Sequence, residues 1–365
     1  MRWSPCPPFH DSPPVQLEDE PELTFQRMYA IDGNDSLKRI ACVGAQEICD
    51  TRCFSDSDYY IPSEEVDQWA GEVGLGSSRE EDLEDNPSDN GEEQDVESSD
   101  QGPCANNWKA AQSDSKKRMW GVFAETGLFA SACRHGFFLW VVDTIRSGEQ
   151  YVLQNFVFPP NSSFAPRSKY PLAITAQALQ TLGPRLLQGY DIGCVFKKTI
   201  ASSSLGTKFE ESKSHCCVNV FHGYSHNFAC QTKNHPNVIE GMGLEDLETM
   251  EQIFSSSNQV AAVTRYSSAY HRRVFIDMFL QQWDDDKYQS LASMLYNNYR
   301  QALSIIDIEG SAVEETAHAL GISLSDLEAW HHQQVDFFAT IGQESPWDIH
   351  AVTYVELLQD LDSAV

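Results

Sequence analysis

The sequence predicts an α/β fold followed by a helical C-terminal region. Short apolar runs with partial alternation, typical of strands, dominate the ordered early part of the chain. Mixed patterns follow in the middle, and apolar residues at helical spacing fill the last third. The chain has 365 residues, of which 41% are hydrophobic, so we expect about two domains with a substantial core.

Six segments have the composition and length of strands. Asp32-Gly33-Asn34-Asp35 ends the first of them, and Arg134-His135-Gly136 joins the third and fourth as a hairpin. The predicted strands are Leu23–Ile31, Ser36–Val43, Gly127–Cys133, Phe137–Asp143, Leu186–Ile192 and Cys216–Phe221.

Seven segments have helical periodicity. The first has Pro171 near its start and Gly183 just beyond its end, which are common positions for these residues. The predicted helices are Tyr170–Leu182, Leu244–Phe254, Ser268–Leu280, Lys287–Ile306, Val313–Leu320, Ser325–Phe338 and Ile349–Leu361.

An acidic insertion interrupts the early part of the chain. Residues 79–100 carry eleven acidic residues and one arginine, a composition typical of disorder. We therefore expect a disordered insertion at about residues 71–105. The net charge of the whole chain is -29, which argues against binding nucleic acid through overall charge, so any basic surface must be local.

The cysteines and the hydropathy indicate an intracellular chain without membrane spans. Ten scattered cysteines favour free thiols over a disulfide framework. No secretory signal opens the sequence, and no run of 18 apolar residues occurs, so we expect no membrane contact. No glycine-rich phosphate loop is present either, and no small-molecule cofactor is expected.

Two aspartates occupy similar positions at the ends of predicted strands. Asp32 and Asp191 each follow an apolar run and precede a turn that contains glycine. Two such carboxylates on neighbouring strands, with a third from a helix, can hold two Mg²⁺ or Mn²⁺ ions about 3.5–4 Å apart. Strand-end aspartates are, however, more often turn or cap residues.

The third carboxylate is ambiguous. Five acidic residues lie close together after residue 239. Glu248 and Glu251 are three residues apart, as expected for one helix face. An acidic helix start favoured by the helix dipole is the simpler interpretation of Glu245 and Asp246. The five are Glu240, Glu245, Asp246, Glu248 and Glu251.

A histidine and cysteine cluster lies between the second aspartate and this acidic segment. His222, His226 and Cys230 are spaced by four residues, so on one helix they would share a face and could bind a structural Zn²⁺. The alternative is a set of hydrogen-bonded histidines that brace the acidic site.

Many short motifs occur in order along nearly the whole chain. They include IDGNDSLKR, SDYYIPSEEVD, ETGLFASACRHGFFL, KYPLAI, GYDIGC, FHGYSHNFACQ, EGMGLEDLETMEQIFSSSN and TRYSSAYHR. In this order the motifs resemble those of the KDZ (Kyakuja–Dileera–Zisupton) transposases of fungal DNA transposons.

The resemblance implies an RNase H-like fold with a mixed sheet flanked by helices and an Asp/Asp/Glu metal site. We expect residues 1–258 to form this core, broken by the acidic insertion, and residues 259–365 to form the helical region. The implied catalytic and metal ligands are Asp32, Asp191 and Glu251, with Glu248 as the alternative to Glu251.

The resemblance also implies an activity and partners. These are Mg²⁺- or Mn²⁺-dependent DNA strand cleavage and transfer, binding to transposon ends and target DNA, a nuclear location and a homo-oligomer. The alternative is a truncated or inactive transposon-derived remnant that acts as an interaction protein. The acidic charge of the chain favours this alternative.

Overall fold

The computed structural model describes residues 22–43, 46–47, 50–54, 57–72, 122–145 and 168–340, together with Tyr354, Val355 and Leu357. Most of the predicted acidic insertion and of the last predicted helix, Ile349–Leu361, lies outside the described residues.

A mixed β-sheet forms the centre of the described part of the chain. Strand β1 pairs antiparallel with β5 on one side and parallel with β7 on the other. Strand β5 also pairs antiparallel with β6 and with the short β2, and β7 pairs parallel with β8. Strands β3 and β4 form a separate small hairpin. The strands are β1 Arg27–Asn34, β2 Arg39–Ile40, β3 Cys42–Val43, β4 Gln46–Glu47, β5 Phe123–Cys133, β6 Phe138–Ile145, β7 Leu186–Gly189 and β8 His215–Cys217.

Helices cover both faces of the sheet. The first face packs against α2, α3 and α4, and the second face packs against α7 and the beginning of α9. The helices are α1 Ser63–Asp67, α2 Lys169–Thr181, α3 Gly193–Ser202, α4 Gly206–Glu211, α5 Val220–Gly223, α6 Phe228–Asn234, α7 Thr249–Ser257, α8 Ala261–Thr264, α9 Ala269–Leu320 and α10 Leu324–Thr340.

Strand β1 contributes side chains to the cores on both faces of the sheet, because side chains alternate along a strand. Tyr29 and Ile31 belong to the core on the first face, whereas Met28 and Ala30 belong to the core on the second. The predicted beginning of this strand was wrong, because Leu23 is exposed and lies before the first paired residue, Arg27.

The single helix α9 replaces three predicted helices. Ser268 caps its first turn by accepting a hydrogen bond from the backbone N–H of His271 (3.2 Å), and Gly321 ends it with φ +69°. The two breaks predicted between these helices were wrong, because residues 269–320 contain no proline that would interrupt a helix. Asp284, in one of those breaks, instead accepts hydrogen bonds from Tyr59 (2.8 Å) and from the backbone N–H of Phe138 (2.9 Å).

The predicted acidic helix begins later than expected. Leu247 has φ +58°, a left-handed conformation that a helix does not contain. The helix therefore begins at Thr249, and Glu248 is its N-cap residue. The side chain of Leu247 is fully buried next to Gly189, where a β-carbon on the glycine would lie 2.7 Å from the Leu247 Cβ.

Arg272 joins α9 to the sheet. Its fully buried guanidinium donates hydrogen bonds to the carbonyl oxygens of Leu37 and Gly127, both at 3.0 Å. It also forms an ion pair with Asp143, which Arg273 contacts as well, at 2.8 Å. Burial alone would raise the pKa of Asp143, but the two arginines outweigh burial and hold that pKa below its usual value.

We predict that Arg272→Met lowers the free energy of unfolding by about 3–5 kcal/mol, because Asp143 and two carbonyl groups lose a buried partner. Urea unfolding followed by circular dichroism measures this loss. Arg300→Met, at an exposed position of the same helix, is the matched control and should change the free energy by less than about 0.5 kcal/mol. A loss below about 1 kcal/mol for Arg272→Met would contradict the assigned role of this ion pair.

Candidate metal centre

The parallel pairing of β1 with β7 places Asp32 and Asp191 at one edge of the sheet. The last registered pair of the two strands is Ala30 with Gly189. Asp32 and Asp191 each follow their member of that pair by two residues. Both aspartates thus lie at the same level beyond this pair.

Asp32 lies on the second face of the sheet. Ala30 belongs to the core on this face, and side chains two residues apart on a strand point the same way. Asp191 lies in the turn after β7, two residues beyond the end of that strand at Gly189. Helix α7 covers the second face through Met250, Ile253 and Phe254. The end of β1 is tied to the end of α7, because the Asn34 amide donates to Ser257 Oγ at 3.3 Å.

Asp191 is the centre of a cluster of ionisable side chains. Its Oδ1 accepts a hydrogen bond from the Asn219 amide at 3.1 Å and lies 3.2 Å from His222 Nδ1. Burial raises the pKa of Asp191 to about 6. His222 lowers this pKa and Glu251 raises it further.

Glu251 and Glu248 face the same histidine. Glu251, in the first turn of α7, has an oxygen 3.8 Å from His222 Nε2, and its side chain is 53% exposed. Glu248 is mostly buried and places one oxygen 3.9 Å from His222 Nδ1. Its other oxygen accepts a hydrogen bond from the backbone N–H of Phe221 at 2.8 Å. Burial raises the pKa of Glu248 as well.

Asp191, His222 and Glu251 can together contact one cation. Each offers one ligand atom, and the three atoms lie within 4.8 Å of one another. Asp32 is buried at the same sheet edge and accepts a hydrogen bond from the backbone N–H of Gly33 at 2.7 Å. Among the described residues, the close cluster around Asp191 does not include Asp32.

A second cluster contacts the main chain of Asp191. Cys194, His226 and Cys230 each offer a ligand atom, and these atoms also lie within 4.8 Å of one another. His226 Nδ1 is 3.5 Å from Cys194 Sγ and 3.4 Å from Cys230 Sγ. The other ring nitrogen of His226 lies 3.0 Å from the main-chain oxygen of Asp191.

The structure divides the predicted His222, His226 and Cys230 set between the two clusters. The three residues do not lie on one continuous helix, because α5 ends at Gly223 and α6 begins at Phe228. Asn227 starts the second helix by accepting a hydrogen bond from the backbone N–H of Cys230 at 2.8 Å. His222 therefore lies among the carboxylates, whereas His226 and Cys230 lie beside Cys194.

Cys194 was not recognised as a candidate ligand in the sequence. It lies three residues after Asp191, in the first turn of α3. The tight packing of that turn against β8 brings it to the cluster, since a β-carbon on Gly193 would lie only 2.0 Å from the carbonyl oxygen of Cys217. Cys194 and His226 are 32 residues apart in the chain, so no local spacing in the sequence links them. Asn227, as a helix-capping residue, was the signal for the break between α5 and α6.

The mixed sheet flanked by helices and the acidic cluster at its edge place this chain in the class of α/β proteins with a candidate metal site. A family model, described as Kyakuja-Dileera-Zisupton transposase, matches residues 25–158 and 165–284. This match covers well over half of the chain, and the chain belongs to the KDZ transposase family.

Neither the curated proteins nor the solved structures contain a significant match to this chain. Within the described part of the chain, every helix is too short or too polar to cross a membrane.

We predict that Asp191→Asn stabilises the metal-free protein at pH 7.5 by about 1–3 kcal/mol. The folded state raises the pKa of Asp191 to about 6, so it binds the proton more tightly than the unfolded chain. Stability is therefore highest below the unfolded pKa and falls as pH rises through the folded one. The asparagine side chain does not ionise, so the variant keeps the stability that the wild type loses as pH rises.

Urea unfolding in a chelator at pH 7.5 and pH 4.5 measures the effect, which should be largest at pH 7.5. Glu210→Gln, at an exposed carboxylate of α4, is the control and should leave stability unchanged at both values. Equal stability of Asp191→Asn and the wild type at pH 7.5 would show that the Asp191 carboxylate is not strained by burial.

Proposed function

We propose that this chain is the catalytic region of a DNA transposase with an RNase H-like fold. In this proposal Asp32, Asp191 and Glu251 hold divalent metal ions that serve strand cleavage and transfer. The sheet supports the fold, because three antiparallel strands, β6, β5 and β1, continue into the parallel strands β7 and β8. This is the strand arrangement of RNase H-like proteins.

The observation that carries the proposal is the cluster of Asp191, His222 and Glu251 beside the strand that bears Asp32. Burial and mutual repulsion raise the pKa of Asp191, and burial raises that of Glu248. A bound cation would reverse both effects because it stabilises the ionised carboxylates. Carboxylate oxygens are the preferred ligands of Mg²⁺ and Mn²⁺.

Each side chain has a separate part in this proposal. Asp32 on β1 and Asp191 in the turn after β7 would hold metal from the edge of the sheet, and Glu251 would hold it from α7. When bound in such a site, two cations about 3.5–4 Å apart activate the attacking water or 3′-hydroxyl and stabilise the leaving oxygen. The Asn219 amide orients the Asp191 carboxylate.

His222 is the residue that this site adds to the three carboxylates. Its two nitrogens face Asp191 and Glu251, at 3.2 Å and 3.8 Å. A neutral imidazole can serve as a further ligand of a divalent cation. His222 therefore adds a nitrogen donor to the carboxylate oxygens of this site.

DNA, as transposon ends and as target, is the partner in this proposal, and the nucleus is the location. Membership of the KDZ transposase family supports both parts of this proposal. The same proposal includes a homo-oligomer and the domain division at residue 258. The first part of α9 nevertheless packs onto the sheet, because Ile276 and Leu280 belong to its core.

We predict that the wild-type chain binds Mn²⁺ in calorimetry at pH 7.5 and that Asp191→Asn reduces the affinity at least tenfold, because the central ligand loses its charge. Glu210→Gln is the exposed control and should bind like the wild type. The affinity of the wild type should fall as pH decreases below about 6, where a proton occupies Asp191. Unchanged Mn²⁺ binding by Asp191→Asn would refute the proposed metal centre.

The same chain tested for metal-dependent nicking of plasmid and transposon-end DNA separates the two candidate functions. Cleavage that Asp191→Asn and Asp32→Asn abolish supports the transposase. Metal binding and DNA binding without cleavage support an inactive remnant that acts as an interaction protein, which the net charge of -29 also favours.

The two glutamates are expected to differ in their effects. We predict that Glu251→Gln lowers Mn²⁺ affinity about tenfold or more with little change in stability, because Glu251 is half-exposed and faces His222. Glu248→Ala should instead destabilise the fold by about 1 kcal/mol, because it removes the side-chain acceptor of the Phe221 N–H. Calorimetry and urea unfolding of both variants measure this, and the reverse pattern would assign the ligand role to Glu248.

A further inference from the structure

The cluster of Cys194, His226 and Cys230 has the donor chemistry of a zinc site. Two thiols and an imidazole are soft or intermediate ligands that favour Zn²⁺ over Mg²⁺. His226 and Cys230 are buried and Cys194 is partly exposed. This cluster is therefore distinct in chemistry from the carboxylates around Asp191.

The distances between the donor atoms fit tetrahedral zinc. Zn–S bonds of about 2.3 Å and Zn–N bonds of about 2.0–2.1 Å place tetrahedral sulfur and nitrogen ligands about 3.5 Å apart. The two distances from His226 Nδ1 to sulfur are 3.5 Å and 3.4 Å. All three donor atoms lie within 4.8 Å of one another, so one ion can contact all three.

The tautomer of His226 is set by the backbone. Its Nε2 faces the main-chain oxygen of Asp191 at 3.0 Å, and a carbonyl oxygen can only accept a hydrogen bond. The Nε2–H group therefore donates, and Nδ1, which lies close to both sulfur atoms, keeps its lone pair. Zinc-binding histidines commonly have this second hydrogen bond, which orients the ring for the metal.

Three separate elements supply the ligands. Cys194 comes from the first turn of α3, His226 from the turn between α5 and α6, and Cys230 from α6. The amide of Asn234 also donates to Cys230 Sγ at 3.5 Å, which helps to fix the position of this sulfur. An ion at this point would fasten the segment after β7 to the segment after β8.

We propose that Cys194, His226 and Cys230 bind one Zn²⁺ ion through three protein ligands, with a water in the fourth position, and that this ion positions Asp191 through the His226 ring. Zinc holds Nδ1 while Nε2–H holds the Asp191 carbonyl. His226 is thus a positioning residue for the neighbouring acidic centre. Zinc binding does not depend on the proposed transposase function, whereas the effect on Asp191 rests on it.

The test is the zinc content of the purified full-length chain after dialysis against metal-free buffer with a reductant. Mass spectrometry of the metal should give about one zinc per wild-type chain, falling below about a tenth in Cys194→Ser and Cys230→Ser. Cys53→Ser, which removes an exposed thiol, is the matched control and should keep one zinc. His222→Ala and Asp191→Asn should keep it as well.

Two further measurements on the wild type do not depend on the folding of a variant. Co²⁺ added to the apoprotein should produce a thiolate-to-metal charge-transfer band. Zinc should also protect Cys194 and Cys230 from alkylation, with Cys53 reacting equally with and without zinc. A folded wild type that retains no zinc and shows neither effect overturns the proposal and leaves a hydrogen-bonded Cys–His cluster. Zinc that is lost in His222→Ala but kept in Cys194→Ser would also overturn it, because the ion would then lie among the carboxylates.

The positioning role has its own readout. Removal of zinc, or the substitution Cys194→Ser, should weaken Mn²⁺ binding at the acidic centre about tenfold or more, a typical effect of losing outer-shell support. Zinc stoichiometry of one with Mn²⁺ affinity unchanged by its removal would leave the zinc site standing and overturn the positioning role. Absence of Mn²⁺ binding in every variant, with zinc retained, would instead count against the proposed function.

Discussion

The parallel pairing of β1 with β7 is the constraint on which the rest of the site depends. It aligns Ala30 with Gly189, and two residues later it brings Asp32 and Asp191 to one edge of the sheet. A shift of this register by one residue would turn Asp32 to the opposite face relative to β7, since side chains alternate along a strand. Helix α7, with Glu248 as its N-cap residue and Glu251 in its first turn, covers the second face.

Close packing around β7 maintains that register. Gly189 leaves no space for a β-carbon, because Leu247 and the Asn219 side chain occupy the position at 2.7 Å and 2.9 Å. Leu247 reaches this position through its left-handed backbone conformation, which also delays the start of α7. The same contacts that fill the core thus determine where Glu248 and Glu251 lie relative to Asp191.

Much of this arrangement was accessible from the sequence. The two strand-end aspartates, the hairpin of β5 and β6 and the helix α2 all follow from local patterns, and the structure places these elements within a few residues of their predicted positions. Local patterns could not assign His222 to the carboxylates, because that depends on a break between α5 and α6 whose geometry is tertiary. The sequence prediction divides the 52 residues of α9 into three helices, again because a tertiary contact decides the outcome. Asp284 lies in the first predicted gap, yet its buried hydrogen bonds with Tyr59 and Phe138 hold it within the helix.

The two side-chain clusters divide the ligand types between them. Carboxylates and His222 face the second side of the sheet edge, whereas thiols and His226 lie behind the Asp191 backbone. A hard cation and a soft cation would therefore select different clusters without further discrimination by the protein. Because His226 contacts Asp191 through its main chain, the link between the clusters does not occupy either carboxylate oxygen. The side chain of Asp191 remains available to its own cluster while its backbone is fixed by the other.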